Sequence, residues 1–440
     1  MIIRCTRLQG EACIHRHFGE WCACATVSIQ RACRALCALI NYESRSMKFT
    51  SRAERIEPFY VMEVAKAAAL LEKEPENASR PMIHLTIGEP DFTAPPLVQE
   101  AAVRAVRAGA TQYTAAVGLS ELRERISGWY RQRFGIDVPA RRIVVTAGAS
   151  AALQLVSMAL IEAGDEVLMP DPCYPCNRHF VMAAEGRPIL VPTNASERYQ
   201  LSADKVAEHW TNKTRGVLLA SPSNPTGTSI VKEEFEKIHS LVKSRGGITL
   251  LDEIYLGLSH EDAFSESALS IDQDVISINS FSKYFCMTGW RLGWVVVPDP
   301  MVPVIERLAQ NFFLCPSTVA QHAAIACFEA ESIAEYEARR HQFKARRDWF
   351  IPALESIGLK VPVMPDGAFY AWVDCSGWFE KLGVSNSWDF SFEVMKRARV
   401  AISPGRDFGS AESEKFVRFS TANSMENLRE SISRLSALVV

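Results

Sequence analysis

The sequence has no surplus of positive charge. Its 48 lysines and arginines stand against 51 aspartates and glutamates, for a net charge of −3. With no basic excess to neutralise a run of phosphates, nucleic acid is not expected as a partner. No apolar run approaches the ~20 residues that a membrane-spanning helix requires, so the chain is expected to be soluble. A disulfide framework is missing too. Cys5, Cys13, Cys22, Cys24, Cys33 and Cys37 crowd the amino-terminal stretch, and the others are scattered apart from Cys173 and Cys176. This reads as reduced thiols in a cytoplasmic enzyme. The glycine fingerprint of dinucleotide binding is also lacking, which argues against a nicotinamide-dependent dehydrogenase.

What is present is a chain of 440 residues, 48% hydrophobic and 22% charged. That composition is globular, and at ~150 residues per domain the length suggests two or three domains. Residues 1–46, rich in Arg and Cys and without a sustained period, are expected to lie outside the fold, as a disordered extension or the product of a start assigned ahead of Met47. Arg31 and Arg34 interrupt its only long candidate for a secretory signal. Cys13, His15, His17, Cys22 and Cys24 match none of the paired spacings of zinc sites, so no metal is expected. The stretch also lacks the helix–turn–helix periodicity and basic face of a DNA-reading arm.

From about residue 97, helix-length segments alternate with short apolar runs that end in turn chemistry: 142–148, 166–172, 217–220, 248–251, 275–279 and 292–297. This pattern predicts an α/β fold, a large mostly parallel sheet over 97–330 with helices on both faces. Residues 331–440 change character, with a charged helical stretch at 331–358 and short strands at 369–373, 400–402 and 416–419. They predict a smaller α+β domain, which the helical spacing of Val61, Val64, Ala68 and Leu71 joins to residues 47–96.

Ligands bind beyond the carboxyl ends of the strands in such sheets, and several chemically suggestive residues fall there. Lys283 follows the run at 275–279, within Ser280-Phe-Ser-Lys-Tyr-Phe-Cys-Met-Thr-Gly-Trp-Arg291. A lone lysine is usually a solvated surface charge. Here Ser280 and Ser282 can donate to a phosphate, and Arg291 adds a planar charged fork. Asp252 ends the run at 248–251 and is expected to open a helix that brings Tyr255 to the same side. It could be an ordinary helix cap, but a carboxylate there is costly to bury without a cation. Asn224 sits in the turn Ser-Pro-Ser-Asn-Pro-Thr-Gly at 221–227, by itself unremarkable. Ala149 and Ser150 open a helix directly after a strand, a ready anion site.

Taken together, Ser-x-x-Lys, Asn-Pro-x-Gly, Asp-x-x-Tyr and a late Arg in Val-Arg-Phe-Ser resemble the class I/II aminotransferases of fold type I, in the right order from about Phe59 to Leu428. The resemblance implies a pyridoxal-phosphate-dependent enzyme that moves the amino group of an L-amino acid to a 2-oxo acid, with Lys283 holding the cofactor as a Schiff base. It implies that Asp252 pairs with the pyridine nitrogen, Asn224 and Tyr255 bind the ring hydroxyl, and Ser280, Ser282, Arg291, Ala149 and Ser150 hold the phosphate. Tyr174 falls where the family stacks an aromatic on the ring, and Tyr113 where it reaches the phosphate of a neighbouring subunit, which implies a homodimer. Arg418 matches the arginine that grips the substrate carboxylate, beside Gly88. Without the resemblance, Tyr113 and Tyr174 read equally well as packing aromatics. Cys286 replaces a residue usually smaller or aliphatic, and as a compact apolar group it should be tolerated.

Relatives that use aspartate tend to carry a polar or basic residue near the distal carboxylate, where this chain offers Val61 and Ser150. A neutral or aromatic donor is therefore expected, with 2-oxoglutarate or pyruvate as acceptor. The nearest rival is a carbon–sulfur β-lyase on the same fold, which would release pyruvate and ammonia without an oxo-acid acceptor. A ligand-sensing regulator built on this domain is the more distant one.

Overall fold

The computed structural model describes residues 48–74 and 80–438. The reading of residues 1–46 and its rejected zinc site lie outside them. Two compact units divide the chain between Arg55 and Ile56. The described part of the first holds one short helix, Ser51–Glu54, capped by the Thr50 hydroxyl. Everything below belongs to the second. Among the described residues no helix is long and apolar enough to cross a membrane.

The described residues form twelve strands: β1 (Ile83–His84), β2 (Ile143–Thr146), β3 (Glu166–Asp171), β4 (Arg187–Pro192), β5 (Thr214–Ala220), β6 (Ile248–Asp252), β7 (Ile276–Ser280), β8 (Gly293–Val296), β9 (Tyr370–Asp374), β10 (Val400–Ala401), β11 (Ser403–Pro404) and β12 (Phe416–Ser420). Seven make the large sheet, in the order β2-β8-β7-β6-β5-β3-β4. Only β8 runs against its neighbours, and the rest pair in parallel.

Successive strand residues point to opposite faces, and here both faces are buried. Val145, Val217, Leu219 and Trp294 join one apolar core, under the helices Ser120–Phe134 and Lys232–Ser244. Val144, Leu218, Ile278 and Val295 join another, under Ala149–Leu160 and Val302–Phe312. Burial on both sides explains why these strands read as continuous apolar runs rather than alternating ones.

A third core surrounds the antiparallel sheet β11-β12-β9. The long helix Ala330–Ser356 contributes to two of these cores, with Tyr336 and Phe343 in the first and Phe350, Ile351 and Leu354 in the third. The amino-terminal helix Tyr60–Glu72 packs Val64 and Ala68 against Met395 of the helix Ser387–Ala398.

Candidate active site

The carboxyl ends of β2, β5, β6 and β7 open onto a cavity of about 490 Å³. Its floor is polar because each apolar strand gives way there to a residue with a hydrogen-bonding side chain or a free backbone N–H. Asp252 closes β6 and is buried, and its carboxylate accepts one N–H, from Ile254 at 3.1 Å. Among the described residues it has no ion pair, and burial pushes its acid up to about 7 against the pull of the Ile254 N–H and the Lys283 charge. The chain turns at once and forms only a short 3₁₀ turn, Leu256–Leu258. The expected helix after Asp252 is thus corrected to a tight turn, yet Tyr255 still lines the cavity.

Lys283 projects from the loop after β7 and donates to the Gly88 carbonyl at 2.5 Å. Burial brings its amine down to about 8, opposed by the attraction of Glu89 and helped by the repulsion of Arg418. Ser280 ends β7, and its hydroxyl accepts the Ser282 N–H at 3.0 Å. Arg291 lies across Gly148: a Cβ there would stand 2.6 Å from a guanidinium nitrogen, and the backbone at Gly148 is left-handed. Gly148 is therefore needed twice over, for its φ of +82° and for the close approach of Arg291. It leads into Ala149 and Ser150, whose helix start leaves backbone N–H groups free toward the cavity.

Arg418, on the central strand β12, is 2% exposed. It donates to Asn224 Oδ1 at 2.8 Å and the Thr86 carbonyl at 2.6 Å, while its Nε has no partner. Among the described residues no carboxylate pairs with it, an expensive state for a buried guanidinium unless a ligand supplies the anion. Tyr174 precedes the helix Pro175–Ala183 and also lines the cavity.

A single cavity thus collects Gly88, Ala149, Ser150, Tyr174, Asn224, Asp252, Tyr255, Ser280, Ser282, Lys283, Arg291 and Arg418. Tyr113 stands apart, 80% exposed and not among the lining residues. A model of the family Aminotransferase class I and II matches residues 80–435. The chain belongs to this family. The aminotransferase is similar to the valine–pyruvate aminotransferase of Mycobacterium tuberculosis, 35% identical over 383 residues that cover 87% of this chain and 96% of that protein. Among solved structures it is similar to an aminotransferase from Mycobacterium tuberculosis, with 34% identity, 90% of this chain and 99% of that one covered, and a TM-score of 0.84. It is also similar to the aspartate aminotransferase of Thermus thermophilus with maleate, with 30% identity, coverage of 89% and 100%, and a TM-score of 0.82.

The aminotransferase is a pyridoxal-phosphate-dependent enzyme, and its cavity fits that group. A buried acid without a cation at one end suits a protonated ring nitrogen, and the Gly148 cradle with Arg291 suits a phosphate. Among the lining residues of the aminotransferase that the sequence motifs did not single out, Tyr370 and Glu89 carry polar groups close to the site's reactive side chains. Tyr370 opens β9 and bonds the Tyr255 hydroxyl at 2.7 Å, and Glu89 sets its charge near Lys283. The neighbouring Gly88 and Pro90 were the only signal for Glu89, and Tyr370 looked like any strand aromatic. Cys286 is buried and lies off the cavity.

Proposed function

We propose that this aminotransferase works on neutral or aromatic L-amino acids, with Lys283 bonded to the cofactor aldehyde and Arg418 gripping the substrate carboxylate. When bound, pyridoxal phosphate supplies an aldehyde for the incoming amine and a ring that takes up the electron pair left at Cα. Asp252 would hold a proton on the ring nitrogen, since a buried carboxylate beside a cation in a medium of low effective dielectric favours the charged pair by several kcal/mol before desolvation, on the order of 5 kcal/mol. Lys283, once freed by the incoming amine, would accept the substrate Cα proton at its Nζ and hand it on, a task suited to an amine of lowered pKa. Asn224 and Tyr255 would orient the ring oxygen, Ser280, Ser282, Arg291, Ala149 and Ser150 would hold the phosphate, and Tyr174 would cover the ring.

The observation that carries this reading is the coexistence, in one cavity, of a buried unpaired acid, a depressed lysine and a buried unpaired arginine. The substrate class is supported by the rim, where Phe59, Val61, Met62, Ala65 and Ile87 are apolar and Lys283, Arg291 and Arg418 are the only lysine or arginine side chains among the lining residues. With all three occupied, none of the described lining residues of this chain offers a cation to a second carboxylate. Free thiols at all six described cysteines support a reducing, cytoplasmic setting. The core around β11-β12-β9 and that of the helix Tyr60–Glu72 support reading 47–96 and 331–440 as a smaller domain beside a cofactor-holding 97–330, with the helix Ala330–Ser356 reaching the cores of both. Tyr113, exposed and outside the lining of its own cavity, supports a homodimer in which it reaches the partner's phosphate.

An absorbance scan tests the core of this. The purified protein should show a yellow band that bleaches on adding an amino acid, and Lys283→Ala should lack it. Initial rates with aspartate, alanine, methionine and phenylalanine test the substrate, and aspartate as the best donor would reject the neutral-donor reading.

A further inference from the structure

Three residues assigned to different tasks all touch one side chain that the motifs do not contain. Tyr370 is 1% exposed and begins β9, opposite Ser420 of β12 and two residues from the partner of Arg418. Its hydroxyl lies 2.7 Å from the Tyr255 hydroxyl. The Arg418 guanidinium sits over its ring at 4.5 Å from the centroid. A Cβ at Gly88 would stand 2.8 Å from its hydroxyl, so the glycine leaves the room that this phenol fills. Gly88 in turn accepts from Lys283.

Burial pushes both phenols up, so both keep their protons at neutral pH. The two hydroxyls then share two hydrogens and one mutual bond, which leaves one O–H free to point elsewhere. We propose that Tyr370 is a positioning residue that donates its O–H to Tyr255, turning the Tyr255 O–H into the cavity, while its ring backs the Arg418 guanidinium. A phenol that accepts a hydrogen bond is itself a stronger donor, because chained bonds polarise one another. The Tyr370 hydroxyl therefore acts on the cofactor's ring oxygen through Tyr255, and the ring acts on the substrate carboxylate through Arg418. The inference rests on the roles given above to Tyr255 and Arg418.

Two variants of the full-length holoenzyme separate the two contributions. Tyr370→Phe keeps the ring and deletes the hydroxyl, and Tyr370→Leu deletes both. One readout is the pH titration of the cofactor's visible absorbance. The other is the dissociation constant of 3-phenylpropionate, which offers a carboxylate and no amine. Tyr370→Phe should raise the midpoint of the absorbance titration by about half a unit to one unit, the size of one hydrogen bond, with 3-phenylpropionate binding unchanged within about twofold. Tyr370→Leu should show the same titration shift and bind 3-phenylpropionate about 3- to 30-fold more weakly, the range of a desolvated cation–π contact.

An unshifted titration in Tyr370→Phe overturns the proposal, and the isosteric Phe settles this even if the Leu variant does not fold. Loss of 3-phenylpropionate binding in Tyr370→Phe as large as in Tyr370→Leu overturns the division of labour. Arg418→Ala identifies the other kind of failure: wild-type binding of 3-phenylpropionate there means that the carboxylate role of Arg418 is wrong, whatever Tyr370 does.

Discussion

An amine that must attack an aldehyde has to be free of its proton, and Lys283 is placed where its charge is poorly solvated. With its pKa lowered to about 8, the neutral fraction increases with pH up to that value and saturates beyond it. Uptake of pyridoxal phosphate by the cofactor-free protein should therefore accelerate about tenfold per pH unit below 8 and level off above it. Stopped-flow absorbance measures this, and acceleration continuing unbroken to pH 10 would reveal an amine of ordinary basicity. Asp252 leads to a second prediction at this scale. Asp252→Ala should retain bound cofactor yet lose about 10²- to 10³-fold in kcat, the cost of removing one preorganised electrostatic partner; near-normal turnover would deny it that role. Most polar residues of the cavity were legible because each belongs to a short local signature. Tyr370 was not, since its meaning comes from a bond to Tyr255 across 115 positions of sequence, and nothing local distinguishes it from Phe369 beside it.

At the scale of elements, the helix Tyr60–Glu72 has an unusual start. Phe59 offers no capping side chain. The buried Asp407 accepts the N–H groups of Tyr60 at 2.8 Å and Val61 at 2.6 Å instead. Asp407→Ala should cost about 1–2 kcal/mol of stability, as cap losses do. It should also speed amide exchange at 60–62 and raise KM for apolar donors, because Val61 and Met62 line the cavity. Urea unfolding and hydrogen exchange followed by mass spectrometry would show it; exchange at the wild-type rate would mean that packing alone holds the helix end. The strand ends were readable as apolar runs meeting turn residues. The edge strand β4 was not, with proline at two positions and little burial except at Val191. The helical spacing of Val61, Val64, Ala68 and Leu71 did not mark where the helix begins, at Tyr60, two residues after Pro58, which disfavours helix in the residue that precedes it.

The whole molecule raises a question that a single chain leaves to its partner. Tyr113, exposed in the monomer, is proposed to complete a neighbour's site. If so, Tyr113→Ala and Lys283→Ala, each impaired alone, should complement when the subunits are exchanged. Half of the dimers would be hybrids with one intact site, so activity should recover to about a quarter of wild type. No recovery, with hybrids verified by native mass spectrometry, would reject the shared site. The order of the large sheet and the helix Ala330–Ser356 running through two cores were beyond reach from sequence, because both depend on contacts between distant segments.

The polar floor of the cavity is built on strand ends, whereas its apolar lip comes from positions 59–65 and 87. Diversifying only that lip should therefore change which donors are taken while the proton chemistry stays intact. One mutagenic cassette of modest length would reach every position involved.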